Sequence, residues 1–111
     1  MEVVMQAMIG VDPHKATHTA VVVNDREDEI GRKKVRACRT QVTQLLSWTE
    51  PFPRRTWAIE GADGLGYLLA QQLVAAGESV VDVPAPWRPE PGCWPAASRI
   101  RRETNVYRFD L

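Results

Sequence analysis

"MIGVDPHKATHTAVVVND", residues 8–25, sets an aspartate inside the most hydrophobic region of the chain. Met8, Ile9 and Val11 lead into Asp12, and Ala20, Val21, Val22 and Val23 follow the short polar bend "PHKATH". The two β-branched, apolar runs predict strands over 7–12 and 19–25, joined by that bend. Taking an unpaired charge out of water costs several kcal/mol or forces the group to neutralise. An aspartate in a buried strand is therefore expected to have a partner: a metal ion, a base or a nest of donors.

Working outward, "DREDE" with Gly31 marks a second turn and "RKKVRACR" (32–39) a third strand, so the first three strands predict an antiparallel meander. On that third strand Lys34 and Arg36 fall on one face, with Val35 and Ala37 on the other. Thr40 is placed to cap a helix over 41–49, whose apolar face holds Val42, Leu45, Leu46 and Thr49. "EPFPRR" ends the helix and "TWAIE" (56–60) predicts a fourth strand, followed by the glycines of "GADGLG". Leu65, Leu68, Leu69, Leu73 and Ala76 give a helical stripe ending at Gly77, in the position of a C-terminal cap. "SVVDV" (79–83) predicts the last strand. The order β-β-β-α-β-α-β predicts an α/β fold: a mixed sheet flanked by helices, with at least one parallel βαβ unit.

Beyond residue 84 the character changes. Five of the eight prolines lie in "PAPWRPEPGCWP" (84–95), which neither a helix nor a central strand tolerates. Residues 85–111 thus predict a basic, irregular tail behind one domain over 1–84. At 111 residues, 44% hydrophobic and 25% charged, the chain has the composition of one small globular domain. Fourteen basic and fourteen acidic residues cancel, so overall charge gives no nucleic-acid signature. Cys38 and Cys93 have no CxxC spacing, which predicts two free thiols in a reducing compartment. No apolar run reaches the roughly 20 residues of a membrane span, and "MEVVMQAMIG" has no basic leader.

Glu60 poses the same question as Asp12, because it ends an apolar strand where glycines let the backbone turn. Sites in open α/β sheets form beyond the carboxyl ends of parallel strands. If strands one and four are neighbours, Asp12 and Glu60 lie roughly 5–8 Å apart, given a strand spacing of about 4.8 Å. Two such carboxylates suit a hard cation such as Mg²⁺. The bland alternative is that both cap neighbouring amides. His14 and His18 are four apart, but Pro13 makes a turn the expectation rather than a chelating helix. Lys15 is a candidate phosphate contact or a solvated turn lysine, and Lys34 and Arg36 are candidate backbone contacts or the guard of an exposed strand. Trp48 and Trp57 are expected in the core. "GADGLG" with Asp82 further on also suggests a dinucleotide-binding βαβ unit, although its glycine spacing is reversed from the usual one.

Three stretches carry a resemblance: "IGVDPHKATHTAVVV", "RTQVTQLLSW" and "RTWAIEGADGLGYLLAQQLVAAGESVVDVPA". Together they resemble the N-terminal domain of DEDD-type bacterial insertion-sequence transposases, which is RuvC-like with a ribonuclease H-like fold. The resemblance covers about residues 8–85. It implies DNA transposition or recombination by strand cleavage and transfer, with Mg²⁺ or Mn²⁺ as cofactor. It implies DNA as partner, a structured guide RNA in some members, homo-oligomers, and action in the bacterial cytoplasm. By the same resemblance Asp12 is the family's first metal-binding, catalytic aspartate and Glu60 its glutamate; Lys15, Lys34 and Arg36 remain candidate nucleic-acid contacts from their own positions alone. The family's downstream Asp-x-x-Asp pair falls where this chain is proline-rich, and Glu103 and Asp110 do not match it. The expectation is a family head truncated or frameshifted after about residue 85 and inactive alone. The competing expectation is a non-catalytic fragment that binds nucleic acid or protein.

Overall fold

Alternation in the N-terminal run gives β1 (Gln6–Pro13), in which Ala7, Ile9, Val11 and Pro13 are buried while Gln6 and Asp12 are exposed. In the computed structural model, which describes residues 6–26, 28–62 and 64–83 and the backbone of 98–103 and 106–110, β1 is a central strand. It pairs antiparallel with β2 (Thr17–Asn24) and parallel with β4 (Arg54–Glu60). Next come β3 (Glu29–Arg36), antiparallel outside β2, and β5 (Ser79–Val83), parallel to β4. Two helices, α1 (Gln41–Trp48) and α2 (Tyr67–Ala75), precede β4 and β5 respectively. The strand order β3-β2-β1-β4-β5 is that of a ribonuclease H-like mixed sheet.

The proline-rich stretch 84–97 lies outside the described residues. Beyond it β6 (Ser98–Glu103) pairs antiparallel with β5, and β7 (Val106–Asp110) with β6, extending the sheet to seven strands. β6 has Ile100 as its one apolar residue and so no alternation to mark it, whereas Tyr107, Arg108, Phe109 and Asp110 of β7 do alternate; the sequence reading predicts an irregular tail for both.

One strand boundary and one helix cap differ from the sequence reading. The third strand runs over 29–36, three residues earlier than its basic residues suggest. Asn24 closes the preceding turn: its Oδ1 accepts from the amides of Arg26 and Asp28, so the chain re-enters the sheet at once. Thr40 occupies the N-cap of α1 without capping a backbone amide. Its hydroxyl instead accepts from the Gln44 side chain at 2.9 Å.

The core lies between one sheet face and the helices. Ile9, Val11, Val22, Trp57, Ile59 and Val80 pack against Leu45, Leu69 and Leu73, all at most 1% exposed. Each such aliphatic side chain contributes about 1.5–3 kcal/mol when fully buried. Trp48 packs at the edge of this cluster and Trp57 at its centre. The buried stripe of α2 runs through Leu69, Ala70 and Leu73, so Leu65 and Leu68, expected in that stripe, stand 58% and 59% exposed. The cause is where the helix begins: Leu65 precedes its first turn, and Leu68 falls on the outer side.

Glycine sets both ends of α2. At its C-terminus Gly77 adopts φ +88°, the Gly77 amide donates to Val74 O, and the Glu78 amide donates to Leu73 O. This is the Schellman arrangement, which bears out Gly77 as the terminator. The next residue, Glu78, accepts from Arg55 Nε at 2.6 Å and from Trp57 Nε1 at 2.8 Å, clasping β5 to β4. At the N-terminus Gly66 is wedged against β1 and β4. A Cβ there would sit 2.6 Å from Ile59 Cγ2 and 3.1 Å from Pro13 Cγ. Gly66→Ala should therefore destabilise the fold by about 1–3 kcal/mol, as overpacked sites do, measured as a lowered urea midpoint. Gly64→Ala, with nothing closer than 3.6 Å, is the control.

Candidate functional site

The register of the two parallel strands brings the carboxylates together. Gly10 pairs with Ala58 and Val11 with Ile59, so the next residues, Asp12 and Glu60, end adjacent strands on one face. Val11 and Ile59 point into the helix-side core, which sends Asp12 and Glu60 to the opposite face. Strand spacing there is about 4.8 Å. Gly61, in the left-handed region at φ +64°, turns the chain away immediately after Glu60.

Asp12 is not buried: its side chain is 58% exposed, contrary to the expectation from its apolar surroundings. The apolar neighbours in sequence belong to the other face of the strand, and the aspartate sits at the strand's open end. Its Oδ2 has a partner in His14 Nε2 at 3.2 Å. Glu60 is half-buried. Among the described residues no cluster of three or more His, Cys, Asp or Glu is arranged to hold a metal ion. The donor set consists of two hard carboxylates, a composition that suits a magnesium-like cation retaining several waters.

The same face carries the basic strand. Asp12 pairs with Thr19, and Thr19 with Lys34, so these three lie in a row across β1, β2 and β3. Arg36 opposite Thr17 and Arg32 opposite Val21 share that face. Lys34 and Arg36 are exposed on a strand that forms the edge of the sheet, and Arg32 pairs with Glu29 at 2.6 Å. Lys15 is exposed in the β1–β2 turn.

The two histidines part company. His14 is exposed beside Asp12, whereas His18 is 4% exposed on the helix side. His18 Nε2 lies 3.0 Å from Gln41 Oε1, and Gln41 Nε2 donates to Gln72 Oε1 at 2.7 Å. Because Gln41 Oε1 can only accept, Nε2 carries the proton and Nδ1 is left as an acceptor with no hydrogen-bond partner. This polar chain ties β2 to both helices. No spacing rule announces it, since its members are 23 and 31 residues apart. Asp82, the acidic residue of the dinucleotide reading, instead accepts from the Ala62 amide at 3.0 Å and braces the β4–α2 turn. Cys38 is an exposed free thiol; hydrogen bonds from the Thr40 hydroxyl and amide, with Arg36 nearby, lower its pKa. Cys93 lies outside the described residues.

These features define a ribonuclease H-like domain with an acidic pair at the ends of its two central parallel strands. A family model for DEDD-type transposases of the IS110 group, described as "Transposase", matches residues 9–87, and the chain belongs to that family. No curated protein and no solved structure matches it. No helix among the described residues is long and apolar enough to cross a membrane.

Burial holds the His18 pKa below its ordinary 6.5, with the neighbouring His14 adding to the effect and the Gln41 hydrogen bond opposing it. The unfolded chain then binds more protons than the folded one as pH falls through 6.5, so folding stability declines on acidification. The urea midpoint is expected to drop below pH 6.5, and His18→Gln should flatten that part of the profile.

Proposed function

We propose that Asp12 and Glu60 are ligands of a divalent cation in the DNA strand-cleavage and strand-transfer site of an insertion-sequence transposase. The observation that carries this reading is the placing of both carboxylates at the ends of adjacent parallel strands on one face. Mg²⁺ or Mn²⁺ bound there would supply charge stabilisation to a transferring phosphoryl group. The protein's own part is to hold two oxygen donors about one strand spacing apart, with His14 orienting one of them.

Lys34 and Arg36 lie on that same face, both on β3, two strands from Asp12 and three from Glu60. They guide a nucleic-acid backbone toward Asp12, contributing affinity without sequence preference. DNA is the partner that family membership supports; a structured guide RNA and self-association are further proposals from the resemblance. Two carboxylates with no third gathered beside them among the described residues support cation binding more strongly than turnover. The chain alone is expected to bind the cation and DNA without cutting.

Mn²⁺ titration followed by amide line broadening in the NMR spectrum tests the site. Broadening should centre on Asp12 and Glu60 and be lost in both Asp12→Asn and Glu60→Gln. Broadening elsewhere, or its survival in both variants, would favour the non-catalytic fragment. For DNA binding, Lys34→Gln with Arg36→Gln should weaken affinity uniformly across sequences. It should also reduce the slope of log affinity against log salt by about 2, roughly one for each phosphate that is no longer neutralised.

A further inference from the structure

A pocket of about 430 Å³ opens at the carboxylate end of the sheet, but on its helix side. Lys15 and Arg39 line it, together with Leu65, Leu68, His18 and Gln72. We propose that this pocket holds one nucleotide unit of a single-stranded nucleic acid, with its base and sugar against Leu65 and Leu68 and its phosphate on Lys15 and Arg39. The inference rests on the nucleic-acid reading above and adds a binding site to it.

Four observations converge. The volume falls within the roughly 300–1,000 Å³ of small-ligand sites. Both long charged side chains in its wall are cationic and exposed, and no acidic side chain lines it among the described residues. Leu65 and Leu68 both line it and are more than half exposed, an apolar surface suited to the face of a base. His18 also lines the pocket, 96% buried, with Nδ1 closed off from solvent and lacking a partner, an acceptor that a base amine or a sugar hydroxyl reaches only if the ring turns toward the pocket.

Position gives the pocket its meaning. His14 lines it and also contacts Asp12 at 3.2 Å, so the β1–β2 turn joins the pocket to the acidic pair. A strand anchored there by one nucleotide has its neighbouring phosphates within reach of the sheet end. A paired base cannot enter without leaving its stack, which favours single strands over duplexes.

The test is an NMR titration of the ¹⁵N-labelled full chain with a short single-stranded DNA, the matching RNA, their DNA duplex and an acidic, leucine-containing peptide. Single strands should shift the amides of Lys15, Arg39, Leu68 and Gln72 more strongly than the duplex does; comparing DNA with RNA identifies the source of the nucleotide. Lys15→Gln with Arg39→Gln should weaken that response roughly tenfold by removing both cations that face the phosphate, with the melting temperature and the Mn²⁺ response of Asp12 and Glu60 unchanged. Leu68→Glu, on an exposed position, should weaken it independently. Shifts confined to the Lys34–Arg36 face, or an equal response to the peptide, would overturn the proposal. Pocket shifts that persist in Asp12→Asn, where the cation response is lost, support the pocket whatever becomes of the metal reading.

Discussion

The parallel pairing of β1 with β4 is the constraint on which the remaining structure depends. Parallel neighbours cannot be joined by a tight turn, so the chain must leave β1, build β2 and β3 on one side, and return through α1. That detour fixes the strand order and puts α1 and α2 on the face carrying Ile9, Val11, Trp57 and Ile59. It also aligns the carboxyl ends of the two central strands. Asp12 and Glu60 end neighbouring strands because those strands are in register, although 48 residues of sequence separate them.

Neutral overall charge conceals a strong local arrangement. Pleating sends Lys34 and Arg36 to the face shared with Asp12 and Glu60, while the helix side receives the apolar partners of the same strands. Acidic and basic groups thus lie in succession across one surface, which suits a polyanion that must meet a cation at a defined point. The edge position of β3 gives its charges a second effect: they discourage another chain from adding to the exposed ladder. A polyanion contact and a guarded edge call for the same side chains at the same positions, so the sequence by itself does not separate the two readings.

The strand and helix order was legible because each element carries its own period, and the family motifs agreed with it. The acidic pair was legible because both residues interrupt apolar runs at strand ends. The exposure of Asp12 was not, since apolar neighbours along a strand say nothing about which face a residue joins at its end. Nor was the outward rotation of Leu65 and Leu68, because an apolar residue just before a helix mimics its stripe. The His18–Gln41–Gln72 chain was least legible, being a contact among three separate elements with no local signature. Gly66 stood in a glycine-rich turn whose flexibility was visible, while the need for a missing side chain against Ile59 was not.

Glu78 and Arg55 lie at the far end of the sheet from Asp12 and Glu60. There the carboxylate of Glu78 holds Arg55 and the Trp57 indole, while Arg55 also donates to the carbonyls of Thr49 and Phe52. The domain is thereby polarised along its strands, with one end serving as anchor and the other left open. Substitutions that tighten the anchor can accumulate without disturbing the geometry of the acidic end. Robustness and the geometry of the acidic end are thus governed by opposite ends of the same two strands.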